Sequence, residues 1–125
     1  MKKTVLIVED ESAIAELIAH YLKQQGYPVT IARDGAQGLA LARKLDLSLA
    51  ILDIMLPGID GLEICRFLRQ EPATAKLPIL MLTAKAEESD QLVGFALGAS
   101  DYITKPFSMK VLLARVAAAL RREES

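Results

Sequence analysis

Cysteine, histidine and long apolar runs are scarce in this 125-residue sequence, and each scarcity excludes something. With Cys65 alone, no disulfide can form within the chain, and a reducing compartment is the simpler setting. One histidine, His20, and no G-x-S-x-G segment leave a hydrolytic triad without support. No stretch approaches the roughly 18 apolar residues of a membrane-spanning helix. The run Val5 to Val8 stops at Glu9, too soon for the apolar region of a secretory signal. A cytoplasmic protein with no membrane contact is expected. Net charge is lacking too. Fifteen basic against sixteen acidic residues give −1 at pH 7, which offers nucleic acid no electrostatic footprint. Any action on DNA must come through a separate domain.

What is present is apolar: 52% of residues are hydrophobic and 25% charged, the balance of one globular domain with a core of its own. Thr4-Val5-Leu6-Ile7-Val8, Ser48-Leu49-Ala50-Ile51-Leu52 and Pro78-Ile79-Leu80-Met81-Leu82 run without polar alternation, the look of strands covered on both faces. Tyr27 to Ala32, with Pro28 at its start, reads as an edge strand, and Asp101 to Thr104 as a short fifth. Helical spacing lies between and after them. Ser12 is expected to cap a helix striped by Ile14, Leu17, Ile18, Tyr21 and Leu22, with His20 on its wet face and Gly26 at its end. Asp34-Gly35 turns into a second helix. Asp60 and Glu63 make a capping box for a third, which carries Leu62, Ile64, Cys65 and Leu68 and ends before Pro72. Glu87, Glu88 and Asp90 open a fourth that runs to Gly98, and Ser108 caps a last one striped by Leu112, Val116 and Leu120. Five strands alternating with five helices, with no linker or repeat between them, predict an α/β fold: one doubly wound (βα)5 domain with a parallel five-stranded sheet.

The apolar strands end in chemistry. Asp53 closes its run abruptly, before a loop marked by Pro57, Gly58 and Gly61. Glu9-Asp10-Glu11 follows the first strand, Thr83 the fourth and Lys105 the fifth. Open α/β sheets place their ligands at these strand ends. Carboxylates gathered there repel one another unless a cation relieves them, and an all-oxygen set selects Mg²⁺ or Mn²⁺ over zinc. A lysine and a hydroxyl at the same place are what a phosphoryl group needs as counter-charge and donor. The residues themselves therefore point to Mg²⁺-dependent phosphoryl chemistry with Asp53 as nucleophile.

Val8-Glu9-Asp10-Glu11, Leu52-Asp53-Ile54-Met55-Leu56-Pro57-Gly58, Met81-Leu82-Thr83-Ala84, Gly98-Ala99-Ser100-Asp101-Tyr102 and Thr104-Lys105-Pro106-Phe107 together resemble the receiver domain of two-component response regulators. The resemblance covers the whole chain and is closest to receivers of the OmpR/PhoB type. It implies a CheY-like, flavodoxin-like sheet with strand order 2-1-3-4-5. It implies that Asp53 accepts a phosphoryl group from a sensor histidine kinase or a small donor. Asp10 and Asp53 would hold Mg²⁺ directly, Glu9 through water, and Met55 through its backbone carbonyl, with Mn²⁺ able to substitute. Thr83 and Lys105 would grip the transferred phosphoryl group, and Lys105-Pro106 resembles the family's cis peptide. Small Ala84 would leave the acceptor open, while Met55 and Lys85 would tune access of hydrolytic water. Tyr102 matches the switch aromatic that turns inward once Thr83 moves.

The responsive face implied is the helix after Thr83, the strand at Tyr102 and the last helix. Asp101, Arg115 and Arg122 match the charged pairs by which such receivers dimerise, whereas Gln91 and Val111 do not. Val111, Ala114 and Ala118 instead add an apolar stripe, so a homodimer on phosphorylation with a more apolar contact is expected. Residues 1–122 are taken as the receiver domain and 123–125 as the start of a linker to an output domain. A receiver acting alone through protein contacts is the alternative. Two rivals from other classes are weaker. A phosphatase of the haloacid-dehalogenase type needs a second Asp two residues after the first, where Met55 stands. A nucleotide- or flavin-binding module needs a phosphate loop where Glu9-Asp10-Glu11 stands.

Overall fold

Successive side chains of a strand point to opposite faces of its sheet, so a strand apolar at every position needs cover on both sides. The computed structural model describes residues 3–84 and 96–124. Strands β1 (Val5–Val8), β2 (Val29–Ala32), β3 (Leu49–Asp53), β4 (Ile79–Thr83) and β5 (Asp101–Thr104) form one parallel sheet in the order β2-β1-β3-β4-β5. Helices α1 (Ser12–Gln24), α2 (Gly35–Lys44), α3 (Gly61–Gln70) and α4 (Met109–Glu124) flank it. The expected order is the observed one. The helix expected from Glu87 onward, with Lys85 and Gln91, falls largely on residues 85–95 and lies outside the described residues.

The core has two halves. Leu6, Val8, Leu52 and Met81 face α2 and α3, meeting Leu39, Ala42, Ile64, Cys65 and Leu68. Their strand neighbours Ile7, Ile51, Leu80 and Leu82 face α1 and α4, meeting Ile18, Leu22, Leu112 and Val116. The three central strands are buried at every position. Each large core side chain contributes about 1.5–3 kcal/mol by leaving water.

Local chemistry sets the boundaries. Asp60 Oδ1 accepts from the Glu63 amide at 2.9 Å and Glu63 Oε1 from the Asp60 amide at 3.5 Å, the capping box that starts α3. Asp34 caps α2 by accepting from the Gln37 amide at 2.8 Å, and Ser108 Oγ accepts from Val111 N at 3.0 Å ahead of α4. Three expectations need correction. Ser12 is the first residue of α1 rather than its cap, because its hydroxyl accepts from Arg33 Nη1. Leu17, expected on the core stripe, is 49% exposed, since Ile18 and Leu22 already fill that face. The second strand starts at Val29 rather than Tyr27: Gly26, at φ +90°, folds the chain back so that Tyr27 N donates to Leu22 O at 3.1 Å.

Candidate functional site

Parallel pairing brings the strand ends to one edge. Val8 pairs with Leu52, Asp53 with Leu82 and Thr83 with Thr104, so Glu9, Asp53, Thr83 and Lys105 close or follow neighbouring strands. Lys105 leaves β5 with its amide donating to Thr83 O at 2.6 Å, and the Lys105–Pro106 peptide is cis. Its ammonium reaches across the sheet edge, donating to Glu9 Oε1 at 2.7 Å and to Asp53 Oδ2 at 3.1 Å. Glu11 Oε1 stands 3.8 Å away.

Glu9 is completely buried and Asp53 is 3% exposed, so both carboxylates have given up most of their water. Such groups persist only when hydrogen-bonded and paired. The remaining oxygens are satisfied by the backbone: Glu11 N donates to Glu9 Oε2 at 3.1 Å, and Met55 N to Asp53 Oδ1 at 3.1 Å. Burial pulls the Lys105 pKa down, but its hydrogen bonds to Glu9 and Asp53 outweigh that and hold it above the ordinary lysine value.

Among the described residues, the Lys105 ammonium is the cation paired with these acids, and its one charge does not balance them. One ligand oxygen each from Glu9, Asp10 and Asp53 lie within 4.8 Å of one another, and the Asp10 side is open to solvent. A compact set of hard carboxylate oxygens with surplus negative charge fits a hard divalent cation. α3 begins directly against this site. Gly61 N donates to Ile54 O at 3.1 Å, and a Cβ on Gly61 would lie 2.4 Å from the Asp53 carbonyl oxygen. Only glycine lets the helix come so close to the strand end.

The other expected residues fall as follows. Thr83 is buried at the site, Ala84 beside it is exposed, and Met55 is 73% exposed on the loop above Asp53. Tyr102 is buried in the core half that holds α3, with its amide donating to Asp101 Oδ1 at 2.8 Å. Asp101 is tied within the chain to Arg115, whose Nη1 lies 2.7 Å and 2.8 Å from its two oxygens. Val111, Arg115, Ala118 and Arg122 line one side of α4 at helical spacing, and Val111 is 46% exposed.

Sequence reasoning missed three partners. Glu9, expected on the metal side of the site, is also bound directly by Lys105. Arg33 joins β2 to the start of α1 through Ser12 and, at 3.6 Å, Glu16. Arg69 bridges two backbone carbonyls below α3. Its only sequence signal was its position four residues after buried Cys65.

Comparison with known proteins agrees with this geometry. The family described as "Response regulator receiver domain" matches residues 5–117. The alkaline phosphatase synthesis transcriptional regulatory protein PhoP of Bacillus subtilis is 48% identical over 99% of this chain and 51% of its own length. The DNA-binding dual master transcriptional regulator RpaA of Synechocystis is 47% identical over 96% of this chain and 50% of its own length. This chain therefore spans about half the length of these relatives. A putative response regulator from Chloroflexus aurantiacus superposes with a TM-score of 0.92 at 41% identity, covering 97% of this chain and 99% of that one. A CheY-like receiver domain protein from Methanospirillum hungatei gives 0.93 at 30% identity, covering 99% and 98%. With fold, order of motifs and sequence all in agreement, the chain belongs to the response regulator receiver domain family.

Proposed function

We propose that Asp53 is the phospho-acceptor of a two-component signalling switch, taking its phosphoryl group from a sensor histidine kinase or a small acyl phosphate. The observation that carries this reading is the single ammonium of Lys105 held at 2.7 Å from Glu9 and 3.1 Å from Asp53. A carboxylate so buried is a poor surface group but a well-oriented nucleophile. One Asp53 oxygen forms the new bond to phosphorus while the bond from phosphorus to the donor's imidazole nitrogen or acetate oxygen breaks, its electron pair leaving with the donor. Glu9 holds Lys105 in place through the transfer. The ammonium then follows the phosphoryl oxygens, and the Thr83 hydroxyl donates to them.

Asp10 and Asp53, the Met55 carbonyl, and Glu9 through water are the groups that would hold Mg²⁺, or Mn²⁺ in its place. When bound, such an ion neutralises charge on the transferring phosphoryl group. Met55, exposed on the loop after Asp53, tunes access of water to the acceptor, with Ala84 leaving the donor's path open; the same role expected of Lys85 lies outside the described residues. The chain catalyses only its own phosphorylation and dephosphorylation, and works in the cytoplasm where such donors occur.

Output follows from a shift between two packings that differ at Thr83 and Tyr102. The face receiving it is β5, α4 and the helix expected after Thr83, which falls largely outside the described residues, and the dimer proposed there is built on Val111, Ala118, Asp101, Arg115 and Arg122. Exposed Val111 favours an apolar contact, with the Asp101–Arg115 pair at its edge. Two relatives named as transcriptional regulators are about twice as long as this chain, which supports a separate DNA-binding output domain in a longer protein.

The test is to incubate the chain with Mg²⁺ and acetyl phosphate and weigh it intact. One labile phosphoryl adduct is expected, absent in Asp53→Asn. An adduct that survives this substitution, or turnover of phosphate esters, rejects the reading.

A further inference from the structure

α3 touches the proposed acceptor at one end and the approach to the output strand at the other. At its start, Gly61 abuts the Asp53 carbonyl. At its far end, Arg69 Nε donates to Gly98 O at 2.8 Å and Arg69 Nη1 to Thr74 O at 3.2 Å. One turn earlier, Cys65 Sγ lies 3.6 Å from Leu97 O. Gly98 stands at φ +100°, and a Cβ there would meet Arg69 Nε at 2.8 Å and Arg69 Cγ at 2.9 Å. The carbonyl of residue 98 is thus brought onto the guanidinium by a backbone turn that only glycine takes without strain. Thr74 is locked in turn, its Oγ1 donating to Leu68 O at 2.7 Å. Three residues beyond Gly98, β5 begins with Asp101 and then Tyr102.

Resting on the acceptor reading above, we propose that Arg69 is a positioning residue that fastens the entrance of β5 to α3. It gives the site at Asp53 a second mechanical route to Tyr102 and Asp101, apart from the one through Thr83. A guanidinium is suited to this work, because its planar fork binds two carbonyls from different loops at once and keeps its charge when half-buried. Lysine would offer a single point of attachment. Arg69 touches neither the carboxylate cluster nor Lys105 among the interactions described, so removing it leaves the chemistry of transfer in place. What is lost is the register of β5 against α3.

The experiment compares wild type, Arg69→Met and Arg69→Lys. Adduct formation is followed by intact mass, and the amide signals of Asp101 and Tyr102 by NMR with and without beryllofluoride and Mg²⁺. The expected result is adduct formation within about threefold of wild type, while the ratio of shifted to unshifted populations at Asp101 and Tyr102 falls roughly 2- to 30-fold in Arg69→Met, the range seen for residues that carry coupling. Arg69→Lys should lie between. If Arg69→Met does not fold, Arg69→Lys decides, and a wild-type response in either folded variant overturns the proposal. So does loss of adduct formation alongside the response, which would place Arg69 in the transfer step. Failure of the acceptor reading looks different, because wild type itself then gains no adduct.

Discussion

Lys105 is the residue on which the site balances. It is the described cation bonded to two carboxylates that are almost or entirely buried, and its removal would strand both. Breaking such a pair from one side costs roughly 3–5 kcal/mol. Lys105→Met is therefore expected to lower unfolding stability in urea by about that amount at pH 7 in the absence of divalent cations. The pH dependence has a defined sign. The folded Lys105 pKa is raised, so its stabilisation is present in full below the ordinary lysine value, about 10.4, and is lost as pH climbs through the higher folded value. Wild type should lose stability in that alkaline range more steeply than Lys105→Met, and parallel curves would refute the assignment. At this scale the sequence was only partly legible. Asp10, Asp53, Thr83 and Lys105 stood out because each follows an apolar run. That Lys105 would bind Glu9 directly was hidden, since the two are joined only by the sheet order.

Elements are held by caps and by apolar stripes, and these were the most readable features of the chain. The capping box at Asp60 and Glu63, the Asp34 cap and the stripe Leu112, Val116 and Leu120 follow from side-chain chemistry within a few residues. Asp60→Ala should cost about 1 kcal/mol, measured by thermal or urea unfolding. It should also slow adduct formation, because α3 rests on the Asp53 carbonyl through Gly61. Leu68→Ala, in a side chain with no exposure, should cost about 2–5 kcal/mol. An effect below 1 kcal/mol would mean that α3 is not packed as described. Where local signals failed, a long-range partner had intervened. Ser12 gave its hydroxyl to Arg33 instead of the helix, and Leu17 found its side of α1 uncovered. Arg69 was invisible as a bridge because its acceptors, Gly98 O and Thr74 O, are backbone atoms that no residue type announces.

The whole molecule was legible as a topology because the alternation of apolar strands and amphipathic helices leaves few ways to bury both sheet faces. Its assembly was less so. Asp101 and Arg115 already satisfy each other within one chain, so a charged contact between copies must first break that pair or share it. Sizing with beryllofluoride and Mg²⁺ should show a dimer that Val111→Asp abolishes, and a monomer at high concentration would remove the proposed face. All of these effects presuppose that one carboxylate, and no other, is esterified. The direct measurement is to treat the acetyl phosphate-reacted chain with borohydride, which reduces an acyl phosphate to an alcohol, and to map the change by peptide mass. The account predicts homoserine in place of Asp53 and nowhere else. Reduction at Asp10, Glu9 or another residue, or none at all in a chain that carries the adduct, would contradict it.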